Sequence, residues 1–124
     1  MPVVSVYNAV YKVIESKASG LVTMKEIKAS LEEIVVLSLE NDCYLWLNDF
    51  SGSKTAIPVF EIFAYAATLP SLIRLLPHTH KIKRAIVSND SESDFRFFEN
   101  VSVNRAQNLK VFPDASSARE WLLS

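Results

Sequence analysis

The sequence predicts an α/β fold: a mainly parallel sheet of four to five strands that carries an amino-terminal antiparallel strand pair and about four helices. Two observations predict it. Short apolar runs of strand length recur along the chain, and longer segments with helical periodicity separate them. Strands that alternate with helices are joined by right-handed crossovers, so neighbouring strands run parallel. The 124 residues suit a single domain over 1–124.

The first residues predict the strand pair. Val4 and Val6, and then Tyr11 and Val13, alternate weakly with polar residues, and Ser19-Gly20 is a turn signal at the end of the pair. We therefore expect two antiparallel strands before the first helix.

The next segment predicts that first helix. Thr23 precedes it, and Glu26 follows Thr23 at the spacing of a capping box. One helical face then carries Met24, Ile27, Leu31, Ile34, Val35 and Ser38. We expect the helix to cover about Met24–Glu40, because Asn41-Asp42 interrupts the pattern.

Later apolar runs predict the core strands, and polar residues separate them. The predicted strands are Cys43–Asn48, Arg84–Val87 and Leu109–Phe112. The predicted loops are Asp49–Thr55, Pro77–His80 and Ser88–Ser93. The remaining segments predict helices over about 58–67 and 70–76, a helix that carries Phe95 and Phe98, and a last helix that Asp114 caps and that buries Ala118, Trp121 and Leu122.

Composition narrows the classes of function. Apolar residues make up 49% of the chain and charged residues 22%, which is ordinary globular usage. Nucleic-acid binding requires a concentrated positive face, which a chain with a formal net charge of −1 does not predict. Cys43 is the single cysteine, so no intramolecular disulfide forms. We expect a cytoplasmic protein with no nucleic-acid partner, and a buried, structural Cys43.

The segment Ala56–Leu76 is unusually apolar, with Glu61 and Arg74 as its only charged residues. A membrane-spanning helix needs about 20 apolar residues, and each central charge costs on the order of 2.5 to 3.5 kcal/mol. Pro70 also interrupts the segment. Two short, buried or half-buried helices are therefore expected, and no transmembrane segment. The excess apolar surface makes this segment a candidate for binding.

Several fragments resemble a known family. They are Gly20-Leu-Val-Thr23, Leu45-Trp-Leu-Asn-Asp49, Lys83-Arg-Ala-Ile-Val87 and Phe112-Pro-Asp114, followed by Ala118 and Trp121-Leu122. In this order the chain resembles the STAS/SEC14-like domain proteins with a SpoIIAA-like fold. The resemblance implies an α/β domain of four or five strands and four helices that is usually non-enzymatic.

The resemblance also implies a regulatory site. In anti-sigma-factor antagonists of the STAS group, a serine between a core strand and a helix is phosphorylated, and Asp49-Phe-Ser-Gly52 resembles that loop with Phe50 in place of its first serine. Ser51 and, beside it, Ser53 are the implied phosphosites. A phosphate at a helix amino terminus is stabilised by unpaired N–H groups. The alternative is that both serines only turn the loop or cap the helix.

A second candidate is a polar loop site. Ligands of open parallel sheets bind beyond the carboxyl ends of the strands. The polar residues expected there include Asn48, Asp49, Lys54, Asn89 and Asp90. The alternative is ordinary loop polarity, because connecting loops lie on the surface.

Catalytic and metal-binding motifs are not found. Gly52-Ser-Lys-Thr55 lacks the upstream glycine and the adjacent Gly-Lys of a phosphate-binding loop. His78 and His80 are the only histidines, no cysteine or carboxylate lies near them in sequence, and an exposed loop is expected for both. We expect no catalytic residue, no metal and no cofactor.

Two functions are compatible with these observations. The first is a non-enzymatic regulatory or protein-interaction module, which binds a protein partner or a second copy of itself as a homodimer through the 58–76 helices. The second is a carrier in which those helices bind a small lipophilic ligand. For either function the apolar residues are Phe60, Phe63, Tyr65, Leu69, Leu72 and Leu76. An ordinary core role for them is the alternative to both.

Overall fold

A five-stranded mixed sheet forms the centre of the protein. The computed structural model describes residues 3–55, 61, 64–65, 67–68, 71, 74, 76–88 and 108–124. In chain order the elements are β1 (Val3–Asn8), β2 (Val13–Val22), α1 (Met24–Asn41), β3 (Leu45–Thr55), a 3₁₀ turn (Thr79–Lys81), β4 (Lys83–Val87), β5 (Leu109–Phe112) and α2 (Ala115–Leu123). The strand order is β1-β2-β3-β4-β5, with β1 antiparallel to β2 and every other pair parallel.

The predicted α/β class and the amino-terminal antiparallel pair are confirmed. The turn predicted at Ser19-Gly20, at the end of the pair, is wrong, because both residues lie within β2; the chain reverses between the two strands after Asn8. The Asn8 side-chain oxygen accepts hydrogen bonds from the backbone N–H groups of Val10 at 3.0 Å and Tyr11 at 3.2 Å. Asparagine thus forms the turn through its own side chain, and Lys12 completes it with a left-handed φ of 57°.

The helix starts were predicted correctly from local signals. The Glu26 carboxylate accepts the Thr23 N–H at 3.2 Å, as the capping box predicts, and α1 ends at Asn41 before the left-handed Asp42. Asp114 precedes α2 and accepts the backbone N–H of Ser117 at 2.7 Å. Each cap satisfies an N–H group that the helix itself leaves without a partner.

The core strand predicted over Cys43–Asn48 is present from Leu45 onward, but the polar loop predicted over Asp49–Thr55 is wrong. β3 continues to Thr55, and its last four residues pair with Ser19–Val22 of β2 after a register shift. Serine, glycine and aspartate favour turns locally, but the backbone hydrogen bonds to β2 outweigh that preference. A longer β3 consequently carries residues that were assigned to a loop.

The expected number of helices is met only in part. Within the described residues two α-helices have complete bounds, rather than about four. Glu61, Tyr65 and Thr68 have helical backbone, but the bounds of the predicted helices 58–67 and 70–76 lie outside the described residues. The predicted helix with Phe95 and Phe98 also lies outside them.

Alternation along the strands produces two cores, one on each face of the sheet. The face under α1 contains Ile14, Trp46, Ile86 and Val111, packed with Leu31 and Ile34. The face under α2 contains Val13, Leu47, Ala85, Val87 and Phe112, packed with Ala118 and Leu122. Full burial of one such aliphatic side chain stabilises the fold by about 1.5–3 kcal/mol. We call these the α1 face and the α2 face.

Lys83 fixes the carboxyl end of α2. Its Nζ donates a hydrogen bond to the Trp121 carbonyl oxygen at 2.5 Å and lies 4.5 Å from the centroid of the Trp121 ring. A cation here meets the negative end of the helix dipole and the face of an aromatic ring. The same indole lies 5.5 Å from the Phe112 ring, so one contact connects β4, β5 and α2.

Replacing this cation should weaken the attachment of α2. We expect Lys83→Met to lower the free energy of unfolding by about 1 kcal/mol, since both the capping bond and the cation–π contact are lost. Lys110→Met is the matched control, because Lys110 is exposed and its Nζ lies 5.5 Å from the Phe112 ring. The control should change stability by less than about 0.5 kcal/mol. Urea denaturation measures both, and equal effects would contradict the capping role.

The Asp114 cap should make stability depend on pH. Hydrogen bonds from the backbone N–H and the hydroxyl of Ser117 lower the pKa of the Asp114 carboxyl below its ordinary value. In acid the unfolded chain therefore binds more protons than the folded protein does. The contribution of the carboxylate to the free energy of unfolding is complete above about pH 4 and is lost as pH falls through the lowered folded-state pKa.

We therefore expect Asp114→Ala to be less stable than the wild type at pH 7, with a difference that shrinks below about pH 4. Asp114→Asn is the control, because its amide oxygen caps the helix without titrating. The stability difference between the alanine and asparagine variants should stay constant with pH. Denaturation at pH 7 and at pH 2.5 tests this, and a wild-type advantage over alanine that is the same at both pH values would refute it.

Candidate functional site

A buried polar cluster lies in the middle of the α1 face. Asn48 is on β3 between Ser16 on β2 and Arg84 on β4, and all three side chains are buried. The Asn48 Nδ2 donates to the Ser16 Oγ at 2.5 Å, and the Arg84 Nε donates to the Asn48 Oδ1 at 2.7 Å. Because a guanidinium can only donate, the amide oxygen must face Arg84, which fixes the orientation of the amide.

Tyr65 joins this cluster from the 56–76 segment. Its hydroxyl oxygen accepts hydrogen bonds of 3.5 Å from both terminal nitrogens of Arg84, and the guanidinium carbon lies 6.0 Å from the ring centroid. Tyr65 is buried with the apolar residues of the α1 face. The cluster thus connects three strands to the segment that follows β3.

The chemistry of the cluster is that of a structural network. Its described members include no histidine or carboxylate to activate Ser16, whose Oγ accepts the amide hydrogen bond of Asn48. A nucleophilic serine requires an adjacent base. A buried arginine is costly unless hydrogen bonds satisfy it, and here they orient a tyrosine and an asparagine.

The predicted loop site does not come together within the described residues. Asn48 and Asp49 are consecutive in β3, so their side chains point to opposite faces of the sheet, and Asn48 is buried. Lys54 is exposed in the same strand, opposite Leu21 of β2. Asn89 and Asp90 lie outside the described residues. Their site was predicted from a loop at 49–55, and the structure has a strand there.

Ser51 and Ser53 also lie in β3 and not in a loop before a helix. The Asp49 carboxylate accepts the Ser51 hydroxyl at 2.6 Å and the Ser51 backbone N–H at 2.9 Å. Ser53 donates its hydroxyl to the Phe50 carbonyl at 2.8 Å. A phosphate on Ser51 would lie beside the Asp49 carboxylate, whose like charge opposes it. Phosphorylation of either serine stays a prediction.

The apolar residues of the 58–76 segment are only partly described. Tyr65 and Leu76 are buried in the core of the α1 face, at 2% and 3% exposure, and neither offers a surface to a partner. Phe60, Phe63, Leu69 and Leu72 lie outside the described residues. The lipophilic-ligand role of this set therefore stays a prediction.

The histidines and the cysteine are placed as expected, with His78 and His80 exposed and Cys43 buried. His78 and His80 are exposed, with ring centroids 6.0 Å apart, and no group of three metal-ligating side chains occurs within the described ranges. Cys43 is buried, and its Sγ lies 3.3 Å from the Lys12 carbonyl oxygen. Burial raises the pKa of the Cys43 thiol, which keeps it protonated and unreactive.

An open groove runs beside the edge strand β1. It has a volume of about 490 Å³ and is lined by Ser5, Ala29, Glu32, Glu33, Val36 and Leu37. The five helical residues form one stripe of α1, next to the stripe that packs on the sheet. The Ser5 Oγ is buried and has no hydrogen-bond partner in the part of the chain that the structure describes. We call this cavity the β1–α1 groove.

β1 is an edge strand that lacks the residues which usually protect such an edge. In the described sheet it pairs only with β2, and its six residues, Val-Val-Ser-Val-Tyr-Asn, include no charge and no proline. Edge strands usually carry charged residues or proline, because their unpaired N–H and C=O groups would otherwise recruit other strands. On the α2 face Val4 is 56% exposed and Val6 53% exposed, and on α1 Val36 is 52% exposed beside the groove. Backbone groups and apolar side chains are therefore available together at this edge.

Comparisons with known proteins agree with the fold. No protein-family model matches the chain, and no curated protein shows significant sequence similarity to it. Its structure is similar to that of an uncharacterised DUF3478-family protein with a SpoIIAA-like fold from Shewanella loihica PV-4, with a TM-score of 0.50 and 16% identity over 97% of this chain and 91% of that one. The chain has a SpoIIAA-like fold. The resemblance noted in the sequence is thereby confirmed at the level of fold.

Among the described helices, none is both long and apolar enough to cross a membrane.

Sequence reasoning missed two features. It assigned Arg84 to the start of a core strand without placing it on the face of Ile86, although strand alternation alone puts both on one face. The β1–α1 groove had no sequence signal, because it depends on how α1 lies over the edge of the sheet.

The Asn48 network gives a prediction about stability. Asn48→Leu removes the partner of two buried polar groups and should lower the free energy of unfolding by about 2–4 kcal/mol. Asn48→Asp should cost less, because its carboxylate still accepts from the Arg84 Nε and the Ser16 hydroxyl can turn to donate. Urea denaturation ranks the two variants. A leucine variant as stable as the wild type would show that apolar packing replaces the network.

Proposed function

We propose that the protein is a non-enzymatic protein-interaction module of the STAS-like type, which binds an extended segment of another protein along β1 and the β1–α1 groove. One observation carries this proposal: an edge strand without charge or proline lies beside an open groove of about 490 Å³. Exposed strand edges accept a further strand through backbone hydrogen bonds, and adjacent pockets select its side chains.

The placement of polar groups supports a binding role over catalysis. Asn48 is hydrogen-bonded to both Ser16 and Arg84 in the core, and Cys43 is buried with a raised pKa. Nothing in the described residues sets a nucleophile beside a base and an oxyanion site, which acyl or phosphoryl transfer would require. The edge of the sheet is where backbone groups and apolar side chains face solvent together.

A selection experiment tests the proposal without a known partner. Displayed random peptides of about ten residues are selected against the folded protein, and the enriched sequences are synthesised. We expect backbone amide signals of β1 and of the groove stripe of α1 to shift on binding. N-methylation of the alternate peptide nitrogens that face β1 should abolish binding, because it removes the donors that pair with the edge strand.

Protein variants provide the matched control. Ala29→Trp should fill the groove and weaken the selected peptides about tenfold or more. Leu39→Trp introduces the same side chain at another exposed position of α1 that does not line the groove, and it should bind like the wild type. Peptides that bind both variants equally, or that shift signals elsewhere, would show that this edge is not the docking surface.

A further inference from the structure

We infer that the segment bound at this edge is basic, with lysine or arginine on the side that faces the β1–α1 groove and β-branched apolar residues on the other side. This inference rests on the proposed function and names the chemistry of the partner. The evidence is the set of β1 and α1 side chains that lie on each face of the sheet beside the β1 edge.

The alternation of β1 sets the alternation of an added strand. Val3 and Tyr7 belong to the α1 face with Ser5 between them, whereas Val4 and Val6 point to the α2 face. Side chains of paired strands that lie opposite each other share a face. Every second residue of an added strand therefore enters the groove, and the residues between them lie against Val4 and Val6.

The groove itself selects long cationic side chains. Within the described residues its lining contains two glutamates, Glu32 and Glu33, and no cation, while Ala29, Val36 and Leu37 supply apolar surface. Lysine and arginine bury an aliphatic stem against such surface and keep the charged end beside carboxylates. The Ser5 Oγ lies in the groove and offers a further acceptor to the bound segment.

The same charges disfavour a second copy of this chain as the occupant. Two copies that paired β1 with β1 around a two-fold axis would bring both grooves, and the glutamates of both, toward each other. Like charges that are forced together across an interface oppose association. On the α2 face, by contrast, exposed Val4 and Val6 favour β-branched neighbours from any partner strand.

Defined peptides test this chemistry. The probe is acetyl-Thr-Val-Lys-Val-Lys-Val-Thr-amide, and the comparators carry glutamate or glutamine in place of lysine. Amide signals of the labelled protein give both the dissociation constant and the binding position. We expect the lysine peptide to bind at β1 about fivefold or more tightly than the glutamine peptide, and the glutamate peptide to bind most weakly. Added salt should reduce that preference.

The double variant Glu32→Gln/Glu33→Gln should remove the preference for lysine. Glu40→Gln is the matched control, since Glu40 is an exposed residue of α1 outside the groove lining. If all three peptides bind equally at β1, the inferred charge selection is wrong and the proposed docking edge stands. If no peptide shifts the amide signals of β1, both the charge selection and the docking edge are wrong. Analytical ultracentrifugation that finds a dimer broken by Ala29→Trp and not by Leu39→Trp would overturn the inference in favour of a second copy.

Discussion

The hydrogen bonds of Asn48 hold the centre of this sheet together. Asn48 is the middle of three polar residues on three adjacent parallel strands, with Ser16 on one side and Arg84 on the other. A single apolar side chain at this position would have left both neighbours buried without that partner. Because Arg84 also contacts Tyr65, the orientation of the asparagine amide is transmitted to the segment after β3. A buried polar network of this kind favours one register of the strands over its alternatives.

The two edge strands of the described sheet differ in length and in charge. β5 has four residues and carries the exposed Lys110, whereas β1 has six residues and no charge. Short length and lysine are the usual protections against unwanted strand pairing. The contrast supports an edge that is kept open for use at β1.

The parts of the fold that could be predicted are those with local causes. The capping box at Thr23, the Asp114 cap and the apolar run Leu109–Phe112 depend on residues that are neighbours in sequence, and the structure has each of them where it was predicted. The segment Asp49–Thr55 was mistaken for a loop because its serines and glycine favour turns. Its pairing with β2 is set by residues 32 to 33 positions earlier in the chain, about which local composition carries no information.

The candidate site was less predictable for the same reason. A resemblance to phosphorylated antagonists drew attention to Ser51, which the structure places in a strand beside Asp49. The groove beside β1 is made by two elements whose relative position follows from core packing. Its lining residues on α1 look like the ordinary solvent-facing side of an amphipathic helix. The role proposed for those residues depends on the exposed edge strand next to them.

Cys43 provides the protein with an internal reporter of local opening. Its thiol is buried, protonated and hydrogen-bonded to the Lys12 carbonyl, at the residue where the chain enters β2. A thiol in that position is alkylated only while the surrounding contacts are broken, so its reaction rate measures how often they break. With no other cysteine in the chain, the signal belongs to one place. The fraying of the β1 hairpin can thus be timed in unmodified protein, with a reagent and a mass spectrometer.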